Sequence, residues 1–194
     1  MLKHILPLSA AVTLWLAAPG MAHPASANPR ILSGEPGAAV QCYEEAARAH
    51  VRPAAVDTCT AALEADPDTE TRAATLTNRA LINRRLGHTE AAAEDCRASL
   101  NIGPAGPAAA VTCAAAFIEA GTPAEAIALL EASPEPAPGQ RYKRYHNLAL
   151  AHHDLGQYRE AYAWLERTLE AKPGFTPALE LKQQYRVVRY PIAK

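Results

Sequence analysis

From Asn147 to Pro173 the chain reads NLALAHHDLGQYREAYAWLERTLEAKP, and small or apolar residues return every three or four positions on both sides of Gly156. That period belongs to a helix with one buried face, and a glycine between two such runs marks a tight turn. The stretch therefore predicts two antiparallel helices. A single hairpin of this kind cannot bury both of its faces, so further copies are needed to cover it.

The copies are present. NRALINRRLGHTEAAAEDCRASLNIGP places Asn78, Gly87, Ala92 and Pro104 at 69 residues before Asn147, Gly156, Ala161 and Pro173. Between them, TCAAAFIEAGTPAEAIALLEASPEPAP places Gly121, Ala126 and Pro138 at 34 residues beyond Gly87, Ala92 and Pro104. A more degenerate copy, QCYEEAARAHVRPAAVDTCTAALEADP, ends at Pro67. The period is 34 residues with small insertions. Ala55, Ala92, Ala126 and Ala161 fall at equivalent places, where the lack of a side chain lets two helices cross closely.

A 34-residue helix-turn-helix repeat with small residues at the crossing and a terminal proline resembles the tetratricopeptide repeat family. The last copy carries the resemblance best: Tyr145, Leu148, Ala149, Gly156, Tyr158, Ala161 and Pro173 match the family's aromatic, Leu, small, Gly, aromatic, Ala and Pro places. The first copy departs most, with His50 at the turn and Tyr43 at a small-residue place. The resemblance covers roughly residues 35–174. It implies an all-α fold, a right-handed superhelical stack of about four such repeats at 36–69, 73–106, 107–140 and 142–175. A capping helix and tail at 176–194 follow, in which Lys182, Gln183, Gln184 and Arg186 face water.

The repeat register also gives the four cysteines a meaning. Cys42 and Cys113 share one first-helix place, and Cys59 and Cys96 share one second-helix place. In this architecture the two places face each other, which implies disulfides Cys42–Cys59 within repeat one and Cys96–Cys113 between repeats two and three. The bland alternative is that cysteine fills these places as a small apolar residue.

An oxidising compartment fits the N-terminus. Lys3 and His4 precede an apolar run from Ile5 to Ala18, followed by APGMAHPASAN, the layout of a signal peptide over 1–27, cleaved after Ala22 or Ala27, with a linker over 28–35. The run is short for a membrane span, so the mature chain is expected to be soluble and exported, most simply to a bacterial periplasm, without an integral membrane segment. Composition agrees with packed helices, being rich in Ala, Leu and Glu with only two Phe and two Trp.

Charge narrows the partner. Residues 28–140 hold 15 acidic and 8 basic side chains, and residues 141–194 hold 5 and 10. The basic end favours acidic partners, although solvated helix faces carry such charges without any partner. Nucleic acid is not expected, because no stripe interleaves aromatic and basic residues. No Cys-x-x-Cys, Gly-rich phosphate loop, Gly-x-Ser-x-Gly or His-Glu-x-x-His occurs, so no metal, cofactor or catalytic set is expected. His152 and His153 are adjacent and point about 100° apart on a helix, and His146 and His153 are two turns apart.

The family resemblance implies a concave groove lined by first helices. The matching places include Gln41, Glu44 and Arg48 in repeat one, then Thr77, Asn78, Leu81, Arg84 and Arg85 in repeat two. Val111, Thr112, Ala115 and Ile118 follow in repeat three, and Lys143, His146, Asn147, Leu150 and His153 in repeat four. Leu81, Ile118 and Leu150 form an expected apolar strip between basic groups, suited to a peptide with an apolar anchor and acidic flanks. Asn78 and Asn147 match the asparagine of the family's carboxylate clamp, but Val40 and Glu44, and Val111 and Ala115, replace its other members. The reading is a noncatalytic, exported binding module or scaffold. The alternatives are a self-associating structural subunit of an envelope assembly and an unrecognised hydrolase or metal carrier.

Overall fold

Three glycines set the hairpins. Gly87, Gly121 and Gly156 hold φ of 81°, 74° and 71°, a left-handed conformation that costs other residues strain. After each, the next residue donates its N–H to the carbonyl five positions back: His88 to Asn83 at 2.9 Å, Thr122 to Phe117 at 2.8 Å and Gln157 to His152 at 2.9 Å. This is a glycine-terminated helix end that satisfies an otherwise orphaned carbonyl. One sequence signal, repeated, makes the same turn three times.

A computed structural model describes residues 37–185. The expected signal peptide at 1–27, the linker at 28–35 and the end of the tail beyond residue 185 lie outside the described residues. Within them the chain is all helical: α1 (Ala38–Ala47), α2 (Ala54–Glu64), α3 (Thr69–Arg85), α4 (Thr89–Ile102), α5 (Pro107–Glu119), α6 (Pro123–Ala132), α7 (Arg141–Asp154), α8 (Tyr158–Ala171) and α9 (Thr176–Gln183), with a 3-10 turn at Pro138–Gln140. Start signals are local. Asp68 accepts the Thr71 N–H at 3.0 Å ahead of α3, and proline opens α5 and α6, where its missing N–H is not needed. In the first hairpin, where His50 replaces the glycine, α1 ends at Ala47 with Arg48 extended, and an open loop runs to Pro53.

The helices form two rows. First helices α1, α3, α5 and α7 pack neighbour on neighbour, while α2, α4 and α6 each pack on their own first helix and on the next one. α9 packs on α8. Ala55, Ala92, Ala126 and Ala161 are all buried, so the small side chains do sit where helices approach. Most of the core is alanine. Its large members are few, chiefly Phe117, Ile82, Leu130, Leu148 and Leu165, each contributing roughly 1.5–3 kcal/mol by burial. The core divides into three clusters along the stack, one around Cys42, Cys59 and Ile82, one around Cys96, Cys113 and Phe117, and one around Leu165 and Ala178.

Two staples supplement this lean core. Cys42 is disulfide-bonded to Cys59, joining α1 to α2, and Cys96 to Cys113, joining α4 to α5; the Cα separations are 4.7 and 5.3 Å. These are the pairs that the repeat register implied. A polar brace lies between the first and second clusters. Asp95 on α4 accepts Arg79 Nε at 3.0 Å and Nη2 at 2.6 Å, and also Asn83 Nδ2 at 3.2 Å. Arg79 Nη1 donates to Thr60 on α2 at 3.0 Å. The fork geometry satisfies a nearly buried carboxylate and ties three helices together.

Candidate functional site

First helices that pack side by side leave a trough along their outward face, and the side chains there decide what it can hold. α3, α5 and α7 bound a cavity of about 620 Å³. Its floor comes from α5, where Ala108, Val111, Thr112 and Ala115 recur at helical spacing and are too small to fill it. Leu81, Arg84 and Arg85 form the α3 wall, and Lys143, His146 and Asn147 the α7 wall. Phe175, just after α8, closes one end, and the stretch between α6 and α7 contributes Pro136, Ala137 and Gln140.

A second hollow of about 710 Å³ adjoins the first, sharing Ala108 and Thr112. Tyr43, Thr77 and Asn78 line it, together with the 103–106 turn, and Glu70 is the charged side chain in its lining. The two hollows thus meet on α5, at Ala108 and Thr112.

Electrostatics differ between the halves. The first cavity is lined by Arg84, Arg85 and Lys143 and by no carboxylate. Arg84 spends Nη1 on Glu119 at 2.8 Å, and its buried Nε has no acceptor among the described residues. Arg85 donates to the backbone carbonyls of Ala46 and Arg48 at 2.8 and 2.9 Å and, among the described residues, ion-pairs with no carboxylate. Lys143 likewise has no carboxylate partner among the described residues; its Nζ stands 5.9 Å from the Tyr142 ring centre. His146 lies edge-on to Phe175 at 5.1 Å, and its buried Nδ1 has no hydrogen-bond partner among the described residues. Burial holds its imidazole below the ordinary histidine range, because the charged form loses water there.

The expected groove residues separate into three groups. Leu81, Arg84, Arg85, Val111, Ala115, Lys143, His146 and Asn147 line the first cavity, and Thr77 and Asn78 the second. Thr112 lines both, and Gln41, Glu44, Arg48, Ile118, Leu150 and His153 line neither. Ile118 packs on the central cluster and Leu150 on the last one, and His153 hydrogen-bonds the Tyr185 hydroxyl at 2.7 Å. The expected Leu81, Ile118 and Leu150 strip is therefore not continuous, because two of its members turn into packed interfaces. Asn147 is largely buried and donates Nδ2 to the Val111 carbonyl at 2.9 Å, bracing α7 on α5.

Pro136, Ala137, Gln140 and Phe175 were not among the expected residues. The spacing held a signal for the first three: Gly121 to Gly156 is one residue longer than Gly87 to Gly121, and the longer linker leans over the groove. Phe175 lies one residue past the last repeat.

Among the described residues no group of three or more His, Cys, Asp or Glu side chains is placed to hold a metal ion. No helix there is long and apolar enough to cross a membrane. Residues 142–175, which span α7, α8 and the turn before α9, match the tetratricopeptide repeat family. No curated protein and no solved structure matches the chain.

Proposed function

We propose, from the match of residues 142–175 to the tetratricopeptide repeat family, that this chain is a noncatalytic module that captures a segment of a partner protein in the trough over α3, α5 and α7. The observation that carries the reading is the first cavity: apolar floor, cations on two walls and no lining carboxylate. Recognition sites are concave and largely apolar with a few placed polar groups, and this one sets Arg84, Arg85, Lys143, His146 and Asn147 around an apolar floor.

Export belongs to the same proposal. The signal-like residues 1–27 and two buried disulfides favour an oxidising compartment, most simply a bacterial periplasm. There a stapled repeat module would act as a scaffold for envelope proteins.

Selection of peptides from a displayed random library on the immobilised full chain tests this reading. Selected peptides are expected to lose binding to Ala115→Tyr, which fills the floor, and to keep it with Ala128→Tyr on the exposed side of α6. Equal loss with both, or with neither, would remove the trough from the account.

A further inference from the structure

We infer that the two ends of the stack are complementary docking faces, and that a second copy of this chain sets its α1 against the α9 of the first, head to tail. The inference goes beyond the groove reading and does not depend on it.

The uncovered ends follow from the packing. Each second helix covers the first helix that comes after it, α2 on α3, α4 on α5, α6 on α7 and α8 on α9. Among the described residues α1 has no helix before it and α9 none after it. α9 opens at Thr176, 35 residues after α7 opens at Arg141, so it stands as the first helix of a further period without a second. Exposure follows the same division. The large apolar side chains that stay exposed among the described residues are Val40, Tyr43, Leu155, Tyr158 and Leu179. Two lie on α1 and three in the last repeat and α9; α2 to α6 have none. Inner helices cover such side chains with their neighbours, and the ends of a stack do not. Val40, Tyr43, Glu44 and Ala47 recur at helical spacing and are all exposed, so they make one face of α1.

Charge decides which ends meet. Residues 37–66 carry Glu44, Glu45, Asp57, Glu64 and Asp66 against Arg48 and Arg52. Both arginines pair with Glu45, whereas Glu44 ion-pairs with nothing among the described residues. At the other end Lys172 and Lys182 flank α9, which holds one carboxylate, Glu180, and the sequence continues with Arg186, Arg189 and Lys194 and no acidic residue. Lys182 pairs with Glu166 at 3.5 Å, and Lys172 pairs with no carboxylate among the described residues. An α1 face against its own copy would bring acidic ends together, which like charges oppose. The acidic end therefore meets the basic one. Because the two faces differ, the contact is heterologous and adds copies in a row instead of closing at two. It lays a first helix on a first helix, the packing that α1 and α3, α3 and α5, and α5 and α7 already make. One helix face per copy is at the small end of specific interfaces, so the association is weak and sensitive to salt.

Sedimentation velocity over a dilution series tests the inference, on the full oxidised chain and on that chain without residues 1–27, whose apolar run from Ile5 to Ala18 is another route to association. Without 1–27 the average mass is expected to pass that of a dimer as concentration rises at about 0.02 M salt, and to fall back at about 0.5 M. Val40→Ser/Tyr43→Ser removes one face and Leu179→Ser the other. Each should weaken association about tenfold with an unchanged melting temperature. Mixed in equal amounts, the two variants regain one intact joint and should form a dimer that grows no further. Ala115→Tyr, which fills the groove, should associate like the parent chain.

A chain that stays monomeric up to about 1 mM overturns the inference, as does association that disappears with residues 1–27. Undiminished association of Leu179→Ser, or a variant mixture that does not dimerise, also overturns it. Association lost in Ala115→Tyr would seat the second copy in the groove, which overturns the end-to-end joint and leaves the groove reading standing.

Discussion

Removing the disulfides one at a time should show that the stack is held unevenly along its length. Each bridge closes a sequence separation of 17 residues, which in the chain-entropy treatment stabilises the folded state by about 3 kcal/mol. What that loss does depends on its surroundings. The buried members of the first cluster are Cys42, Ala46, Ala55, Cys59, Ala62 and Ile82, and the one large side chain among them comes from α3, with Val51, Val56, Leu81 and Leu86 partly buried against it. Apart from the bridge, α1 and α2 bring only alanines to it as fully buried apolar groups, and their hairpin lacks the glycine turn of the others. In Cys42→Ala/Cys59→Ala this hairpin should open by itself, and hydrogen exchange should lose protection over 38–64 while α5 to α8 keep theirs.

Cys96 and Cys113 instead sit in the central cluster with Phe117, Leu130 and Leu148 and join two repeats. Cys96→Ala/Cys113→Ala should lower the main unfolding transition by the same 3 kcal/mol or so, a fall of about 1–3 M in the urea midpoint. Urea denaturation followed by circular dichroism, paired with exchange mass spectrometry, reads both. Unchanged midpoints and protection in both variants would refute the reasoning, as would a non-reducing peptide map with four free thiols or with Cys59 joined to Cys96.

Other consequences follow from single contacts. Ala161 is fully buried at a helix crossing, so Ala161→Leu should cost about 1–3 kcal/mol by overpacking, and an unchanged denaturation midpoint would contradict the register. Asp95→Ala strands the Arg79 guanidinium and the Asn83 amide and should cost about 3 kcal/mol, whereas Arg79→Met/Asp95→Leu should recover most of that loss; the midpoints of the single and double variants decide it. His146 is held below its ordinary pKa by burial, so the unfolded chain takes up its proton first. Its contribution is complete above the unfolded histidine value, about 6.5, and is lost as pH falls from there toward the folded value. His146→Phe should flatten the stability profile in that window, and an identical profile would mean that the imidazole is solvated.

Most of the fold could be read in the sequence because it depends on periodic, local signals. Gly87, Gly121 and Gly156 announce turns that only a left-handed residue makes cheaply, and Ala92, Ala126 and Ala161 announce close crossings at the same period. The groove walls were legible through the same register, which placed Arg84, Arg85, Lys143 and His146 on one trough. Ile118, Leu150 and His153 show the limit of that method. A register gives an angle around the helix axis, but whether a side chain at that angle meets water depends on what the next element brings. Tyr185 reaches His153 from 32 residues away, and no helical period encodes that. The Arg79 and Asp95 brace escaped for a related reason, since charged residues on a helix read as solvated until a partner on another helix is seen.

The most direct test of the groove is hydrogen exchange on the full oxidised chain with and without a saturating library-selected peptide. Added protection is expected on the first helices, over 77–85, 108–115 and 143–147, with α2, α4 and α6 unchanged. Protection concentrated on α2, α4 and α6, or confined to α9, would place the partner elsewhere and contradict the account.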